Sequence, residues 1–161
     1  MRRKDREITD KAELLDILRR CDNIRLGMVS EGEPYVVPIS FGFEEAEGQV
    51  HVYFHSAPIG RKVAALEQNP AVCVEADIFY RNETTPHGIT ARYESIIGFG
   101  RAQRIEGEEL LHGLRCILEH YGYDTYAPDT CRYLPTTAGY KITLSSLSGK
   151  RNMPKSAADS A

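Results

Sequence analysis

Residues 24–56 read IRLGMVSEGEPYVVPISFGFEEAEGQVHVYFHS and decide the fold. Apolar and polar side chains alternate along much of this stretch, with the period of a half-buried β-strand. Glu-Gly-Glu-Pro at residues 31–34 and a second glycine at Gly48 are typical of turns. Strands joined by such short loops pair antiparallel, and Pro38 restricts its strand to a sheet edge or a bulge. The stretch therefore predicts a three-stranded antiparallel meander, whose strands are residues 24–29, 35–43 and 49–56.

Helical patterns lie on both sides of this meander. Asp10 is a plausible N-cap with Glu13 three residues on, followed by apolar residues at helical spacing. Gly98 and Gly100 suit a bend at a barrel corner. About six strands and three helices predict a mainly β protein, an antiparallel β-barrel with peripheral helices. Besides the helix that Asp10 begins, the remaining predicted elements are helices at 60–69 and 107–121, strands at 72–77, 93–105 and 140–147, and a polar loop at 80–92.

Length and composition place limits on the function. The chain has 161 residues, enough for one domain, which we assign to residues 1–150 with a flexible tail at 151–161. A net charge of −3 argues against a nucleic-acid partner, because such binding depends on a basic surface. The sequence has neither an apolar run long enough to span a membrane nor a secretory signal pattern, so no membrane partner is expected. Four cysteines without a CxxC pair predict free thiols and a cytoplasmic location.

The most informative motif is HSAPIGRK at residues 55–62. It places a histidine and a serine at the end of a strand, then a glycine, then two cations in the first turn of a helix. Free N–H groups at a helix start bind anions, whereas cations there oppose the helix dipole. Arg61 and Lys62 are therefore predicted either to bind an external anion such as a phosphate, or to be merely solvated.

Other chemistries have weaker support. His112, Cys116 and His120 follow each other at a spacing that permits pairwise chelation of a metal. We place this row opposite the apolar face of its helix, where a polar surface or a subunit contact is the better interpretation, and we expect no metal site. His55 and Ser56 are strand neighbours that point to opposite faces, and the chain has no GxSxG elbow, which argues against a hydrolase.

In combination, several motifs resemble the FMN-binding split β-barrel proteins of the pyridoxamine 5′-phosphate oxidase-like superfamily. Within it, the chain resembles most the nitroimidazole-resistance group, whose members begin with a similar basic and acidic run. The similarity covers roughly residues 1–150. The motifs that carry it are MRRKDREI at 1–8, YVVPISFGF at 35–43, HSAPIGRK at 55–62, NPAVCVE at 69–75 and YESIIGFGRA at 93–102.

The resemblance implies a homodimer of split barrels with FMN at the subunit interface. Arg61 and Lys62 would bind the FMN phosphate, and His55 and Ser56 would lie along the ribityl chain and the flavin edge. Ser95 stands where the oxidases have a flavin-contacting glutamine. The residues whose backbone would face the isoalloxazine ring are Val37, Pro38, Ile39 and Ser40.

The function implied is that of an FMN-dependent oxidoreductase that reduces a small organic acceptor, with nitroimidazole-type nitro groups as the favoured class. His55 would be the catalytic proton donor, or else would only hydrogen-bond the flavin. The chain lacks the C-terminal Arg-x-His motif of pyridoxamine phosphate oxidases, which argues against vitamin B6 oxidation. Alternatives are a non-catalytic FMN-binding or sensing module, and a split barrel that uses haem or a deazaflavin.

Overall fold

The computed structural model describes residues 2–154. Within that range, eight β-strands form one antiparallel sheet and three α-helices pack against it. The strands are β1 (Glu7–Ile8), β2 (Ile24–Ser30), β3 (Glu33–Ile39), β4 (Gly42–Ala46), β5 (Gln49–Ser56), β6 (Ala71–Thr85), β7 (Gly88–Ile105) and β8 (Ala138–Asn152). The helices are α1 (Lys11–Arg20), α2 (Arg61–Gln68) and α3 (Gly107–His120).

The sheet is a split β-barrel, as predicted. Its strands follow the order β3-β2-β6-β7-β8-β5-β4, and the short β1 adds to β8. β3 and β4 are thus the two ends of the hydrogen-bonded path. Pro38 lies in β3, so the prediction that it occupies a sheet edge is confirmed.

Alternate strand residues fill the barrel interior, and α1 covers one side of it. Ile17 and Leu18 of α1 are fully buried in the main core cluster. The predicted N-cap is confirmed, because the Asp10 carboxylate accepts hydrogen bonds from the N–H groups of Ala12 at 2.7 Å and Glu13 at 3.2 Å. The strand residues buried most completely in the interior include Leu26, Val52, Val74, Ile96 and Ile142.

The predicted meander is wrong in one respect. Residues 35–43 form two strands, β3 and β4, separated by Ser40 and Phe41. β3 pairs with β2 and β4 pairs with β5, so the region consists of two hairpins at opposite ends of the sheet path. The side chain of Phe41 is fully buried, and its N–H donates to the Tyr121 hydroxyl at 3.2 Å instead of to a strand. Alternation in sequence indicates a strand but not which strand it pairs with.

The predicted loop at residues 80–92 is also wrong. β6 and β7 continue through it as one long hairpin, whose register runs to Thr85 opposite Gly88. The hairpin end carries polar cross-strand contacts, such as the Arg92 Nε that donates to Glu83 at 2.9 Å. Because this part of the hairpin has little buried side-chain surface, it lacks the apolar alternation by which a strand is recognised.

The last strand extends beyond its predicted end. β8 continues through Arg151 and Asn152, which pair with Glu94 and Tyr93 of β7. Residues 151 and 152, which we assigned to the tail, are therefore part of the sheet. The rest of the predicted tail from residue 155 onward lies outside the described residues. No helix in the described chain has the length and apolar character needed to cross a membrane.

Candidate functional site

The start of α2 leaves its first backbone N–H groups available to an external acceptor. Gly60 is the N-cap, and it supplies no side chain to accept a hydrogen bond from the first turn. Its φ of 149° is one that side-chain-bearing residues rarely adopt. Carboxylates are absent from this first turn of α2. The geometry of residues 60–62 therefore suits an anion.

Arg61 is held in place by the β2–β3 hairpin. Its Nε donates to the hydroxyl of Ser30 at 2.9 Å, and Ser30 is buried. Its guanidinium carbon lies 4.3 Å from the centre of the Tyr35 ring, a cation–π contact. Among residues 2–154 this is the only hydrogen bond that the Arg61 guanidinium makes, so its other N–H groups are available to a ligand.

Lys62 lies on the other side of the same helix start. Its Nζ is 5.4 Å from the centre of the Phe54 ring, and burial lowers the pKa of the amine from its usual value. Neither Arg61 nor Lys62 forms an ion pair with a carboxylate of residues 2–154. Two neighbouring cations without a counter-ion make this the clearest anion site that the residues suggest.

Three residues that hold these cations were not found by sequence reasoning. Ser30, Tyr35 and Phe54 precede Arg61 by 31, 26 and 7 positions. Their contact with α2 arises only when the β2–β3 hairpin and β5 fold against the helix start. The local motif at residues 55–62 therefore identified the cations but not their supports.

His55 and Ser56 close β5, immediately before this helix start. His55 is exposed at the surface, although its ring is partly buried in the wall of the cavity described below. Its pKa is lowered from the usual 6.5, first by this burial and second by the positive charge of Lys62. The imidazole is therefore mostly neutral at pH 7. The half-buried Ser56 donates its hydroxyl proton to the carbonyl of Ala57 at 2.8 Å.

The four residues predicted to present backbone lie at the end of β3. Val37, Pro38 and Ile39 belong to β3, and Ser40 follows it. Ile39 is 5% exposed, so its side chain packs in the core and only its backbone is left for a ligand. β3 pairs with β2 alone among the described strands, which leaves its second edge open to a ligand.

Ser95 lies on a different strand from the other predicted site residues. It is on β7 opposite Asp77 of β6 and Lys150 of β8. Its neighbours in sequence, Glu94 and Ile96, point into the barrel and are buried, so Ser95 faces the outer surface of the sheet. Among residues 2–154 of one chain, no hydrogen bond or ion pair joins Ser95 to Arg61 or Lys62.

A cavity of about 250 Å³ opens beside His55. Its wall is largely apolar and comes from α3 and from the irregular segment between α3 and β8. That segment has neither helical nor strand periodicity, so its sequence alone predicts no role for it. The residues of the wall besides His55 include Leu114, Ile117, Tyr126, Cys131, Tyr133 and Leu134.

The row of His112, Cys116 and His120 does not form the polar surface that we predicted. Cys116 is 7% exposed, and the row packs against the barrel. His112 bonds to Glu44 of β4, whereas the His120 Nε2 lies 2.9 Å from the carbonyl oxygen of Cys21. The prediction failed because Gly42 of β4 has no side chain and lets this face of α3 approach closely.

Comparison with protein families gives one match. The family model described as pyridoxamine 5′-phosphate oxidase matches residues 10–151, which include every predicted site residue. No curated protein sequence matches the chain.

Comparison with solved structures gives several. A candidate 5-nitroimidazole antibiotic resistance protein from Bacteroides thetaiotaomicron is 30% identical, with a TM-score of 0.79 over 89% of this chain and 85% of the other. A flavocytochrome from Azotobacter vinelandii is 21% identical, with a TM-score of 0.77 over 99% and 77%. An FAD- and haem-binding protein from Mycobacterium smegmatis is 19% identical, with a TM-score of 0.76 over 96% and 78%. The last two show likeness of fold alone.

Proposed function

Because the chain belongs to the pyridoxamine 5′-phosphate oxidase family, we propose that it binds FMN and reduces small organic acceptors, with nitroimidazole-type nitro groups favoured. The observation that carries the proposal is the pair of cations without counter-ions, Arg61 and Lys62, at the uncapped start of α2. A terminal phosphate supplies the dianion that these two residues lack. Arg61 would bind it with the guanidinium N–H groups that Ser30 does not use.

The rest of the flavin would extend over the residues around this helix start. From the phosphate, the ribityl chain would follow the end of β5, where Ser56 offers a hydroxyl and His55 an imidazole. The open backbone edge at Val37–Ser40 would then face the ring system, because unpaired strand N–H and C=O groups match the polar edge of an isoalloxazine.

A second copy of the chain would complete the site. Ser95 lies on the outer face of the sheet, away from the cations of its own chain. It would therefore reach a flavin bound to the partner's Arg61 and Lys62, as an interfacial site requires. This arrangement makes flavin binding depend on dimerisation.

The cavity beside His55 is the proposed site of the acceptor. Its volume of about 250 Å³ and its apolar, tyrosine-containing wall suit a small planar molecule. FMN would supply the electron transfer between a reduced nicotinamide and the acceptor. Conversion of a nitro group to a nitroso group takes up two electrons and two protons and releases one water. His55 borders both the cavity and the proposed flavin site, so its imidazole is placed to deliver one of these protons.

The first experiment tests the cofactor. Because each charge-assisted hydrogen bond contributes about 1.5–3 kcal/mol, loss of both cations should cost about 3–6 kcal/mol of flavin binding. That corresponds to a loss of affinity of about 10²- to 10⁴-fold. Arg61→Ala with Lys62→Ala should therefore give a folded, colourless protein, whereas the wild type is yellow with a flavin spectrum.

The matched control removes two exposed cations elsewhere, by Lys4→Ala with Arg115→Ala, and should stay yellow. If the Arg61/Lys62 double variant retains full flavin occupancy, the phosphate assignment is wrong. A Soret band or a deazaflavin spectrum in the wild type would instead identify the alternative cofactors.

The second experiment tests the reaction. With NADH or NADPH and a nitroimidazole, the protein should consume reductant faster than the same concentration of free FMN does. A yellow protein without this excess activity would be a flavin-binding module and not a reductase.

A further inference from the structure

Glu44, His112 and Cys116 bring three different metal-ligating groups together, away from the proposed flavin site. One potential ligand atom from each residue lies within 4.8 Å of the other two. The Glu44 Oε2 is 3.0 Å from the His112 Nε2, which is in turn 3.6 Å from the Cys116 Sγ. With bonds of about 2.0–2.3 Å to zinc, tetrahedral ligand atoms lie roughly 3.3–3.6 Å apart. Two of the three separations are therefore close to the spacing that one ion requires, and the third is no more than 4.8 Å.

The cluster rests on two elements that are tightly packed. His112 and Cys116 are one turn apart on α3, and Glu44 is on the adjacent β4. A Cβ on Gly42 would lie 2.2 Å from the backbone of Cys116, so only glycine allows β4 and α3 to approach this closely. Ligands on such rigid elements are held in position before the ion arrives.

The surroundings resemble the outer shell of a metal site. The Tyr53 hydroxyl donates to the second carboxylate oxygen of Glu44 at 2.6 Å, which fixes the orientation of that carboxylate. The Tyr53 ring also meets the His112 ring edge-on, at a centroid distance of 5.6 Å. A cavity of about 360 Å³ reaches Glu44 and Cys116 from solvent, with Glu119 also on its wall. The site thus has an oriented ligand and an entry path.

We propose that Glu44, His112 and Cys116 bind one zinc ion, with a water molecule as the fourth ligand, and that the ion joins α3 to β4. Mixed oxygen, nitrogen and sulfur ligands suit zinc, and three protein ligands leave one position open. On binding, the Cys116 thiol releases its proton to solvent and the sulfur becomes a thiolate ligand, while the neutral His112 imidazole changes tautomer, so that Nδ1 carries the proton and Nε2 binds the ion. A simple hydrogen-bonded Glu–His pair beside a neutral thiol is the competing interpretation, and it predicts no zinc binding.

The test uses the purified protein under reducing conditions, after treatment with a chelator. Titration with Zn²⁺ in a calorimeter should give one equivalent bound, and Zn²⁺ should raise the thermal unfolding midpoint. Co²⁺ should give a difference spectrum with a thiolate-to-cobalt band that Zn²⁺ abolishes. Glu44→Gln, His112→Asn and Cys116→Ser should each weaken Zn²⁺ binding by more than about 100-fold, and Tyr53→Phe by about 10- to 100-fold.

The controls are His87→Ala and Cys131→Ser, which remove a histidine and a thiol outside the cluster and should bind Zn²⁺ as the wild type does. Circular dichroism checks that each variant is folded. If Cys116→Ser fails to fold, the Zn²⁺ affinity of Glu44→Gln tests the proposal in its place. The proposal would be overturned if the wild type bound no Zn²⁺ at about 100 µM, a concentration that partly fills even a site with a dissociation constant of that size. Cluster variants that bind Zn²⁺ as tightly as the wild type would overturn it as well. Flavin content is expected to be unchanged in His112→Asn. Loss of Zn²⁺ binding would therefore leave the FMN proposal standing, and loss of flavin binding would leave the zinc proposal standing.

Discussion

At the level of single residues, His55 is the side chain whose charge matters most to the proposed reaction. Burial and the neighbouring Lys62 lower the pKa of its imidazole below 6.5. A group with a lowered pKa gains its proton only at lower pH, so the protonated fraction grows as the pH falls through and below this range. A bound phosphate would offset the charge of Lys62 and partly reverse the second effect.

If His55 is the proton donor, nitro reduction by the wild type should accelerate as the pH falls from 8 to 6. His55→Gln should lose this acceleration and be about 10²-fold slower, because general acid catalysis is typically worth 10²–10⁴-fold. Its flavin spectrum should remain that of the wild type. Steady-state rates across this pH range, with flavin content measured for each sample, check the prediction. If His55→Gln instead loses flavin and keeps the pH profile per bound flavin, the residue only binds the cofactor.

How far the site could be predicted from sequence depends on how local each contact is. Arg61 and Lys62 lie in the first turn of a helix whose start is marked by Gly60 and whose end is marked by Pro70, so the motif alone indicates their position. Ser30 and Tyr35 come from a distant hairpin, and no local pattern connects them with Arg61. Glu44 beside His112 is a similar case, because 68 positions separate the two residues.

At the level of elements, a buried carboxylate joins α1, β6, β7 and β8. Glu94 of β7 is 4% exposed and accepts from the Tyr80 hydroxyl at 2.6 Å. It also pairs with Arg20 at 2.8 Å and with Arg151 at 2.5 Å. Burial alone would raise the pKa of Glu94, but these three donors outweigh it, and the net pKa is lowered. The ionised form is therefore the one that the folded state favours.

Because its folded-state pKa is lowered, Glu94 stabilises the fold above its unfolded-state pKa, and that contribution is lost as the pH falls through the folded-state value. Glu94→Gln should lower the free energy of unfolding at pH 7 by about 1.5–3 kcal/mol, the worth of a hydrogen bond to a charged group. The difference from the wild type should shrink as the pH falls below about 4. Urea denaturation at several pH values measures both effects. A constant difference at all pH values would contradict the ionic account, and Glu83→Gln on the exposed hairpin serves as the control.

The elements also show where sequence patterns are sufficient. The start of α1 and both ends of α3 were predicted within one residue, because each helix buries one apolar face. The outer part of the β6–β7 hairpin was not predicted as a strand, because its polar residues are solvated on both faces. A strand of that kind is specified by its partner strand and not by its own alternation.

At the level of the whole molecule, one face of the sheet carries exposed apolar side chains beside charged ones. Val36, Ile97 and Phe99 are 60%, 43% and 55% exposed. The strand register places Val36 opposite Gly27, Gly27 opposite Cys73, and Cys73 opposite Phe99, so these residues form a continuous row across four strands. Ser95 lies on the same face. An apolar row of this kind is typical of an interface, and a second copy of the chain fits the proposed flavin site.

We expect Phe99→Glu to convert a dimer into a monomer, because two carboxylates would be buried in the isologous contact. The monomer should also lose flavin, since Ser95 could no longer reach the partner's site. Light scattering at micromolar concentration gives the mass, and absorbance gives the flavin content. Tyr123→Glu, an aromatic residue of similar exposure outside this sheet face, should remain dimeric. A wild type that is monomeric at this concentration would contradict both the dimer and the interfacial site.

The short link between β3 and β4 has a mechanical consequence. These strands are the free ends of the hydrogen-bonded path, so the barrel is closed there by two residues of covalent chain, Ser40 and Phe41. No hydrogen bond between the described strands joins β3 to β4, so this link and the buried Phe41 side chain hold the two hairpins together here. One hydroxyl group ties this link to the rest of the chain by hydrogen bonds: the Tyr121 hydroxyl accepts from the Phe41 N–H and donates to the Asp22 carbonyl. Closure of the barrel at this seam therefore depends on the covalent chain, the core packing of Phe41 and the Tyr121 hydroxyl at the end of α3, and not on a pair of strands.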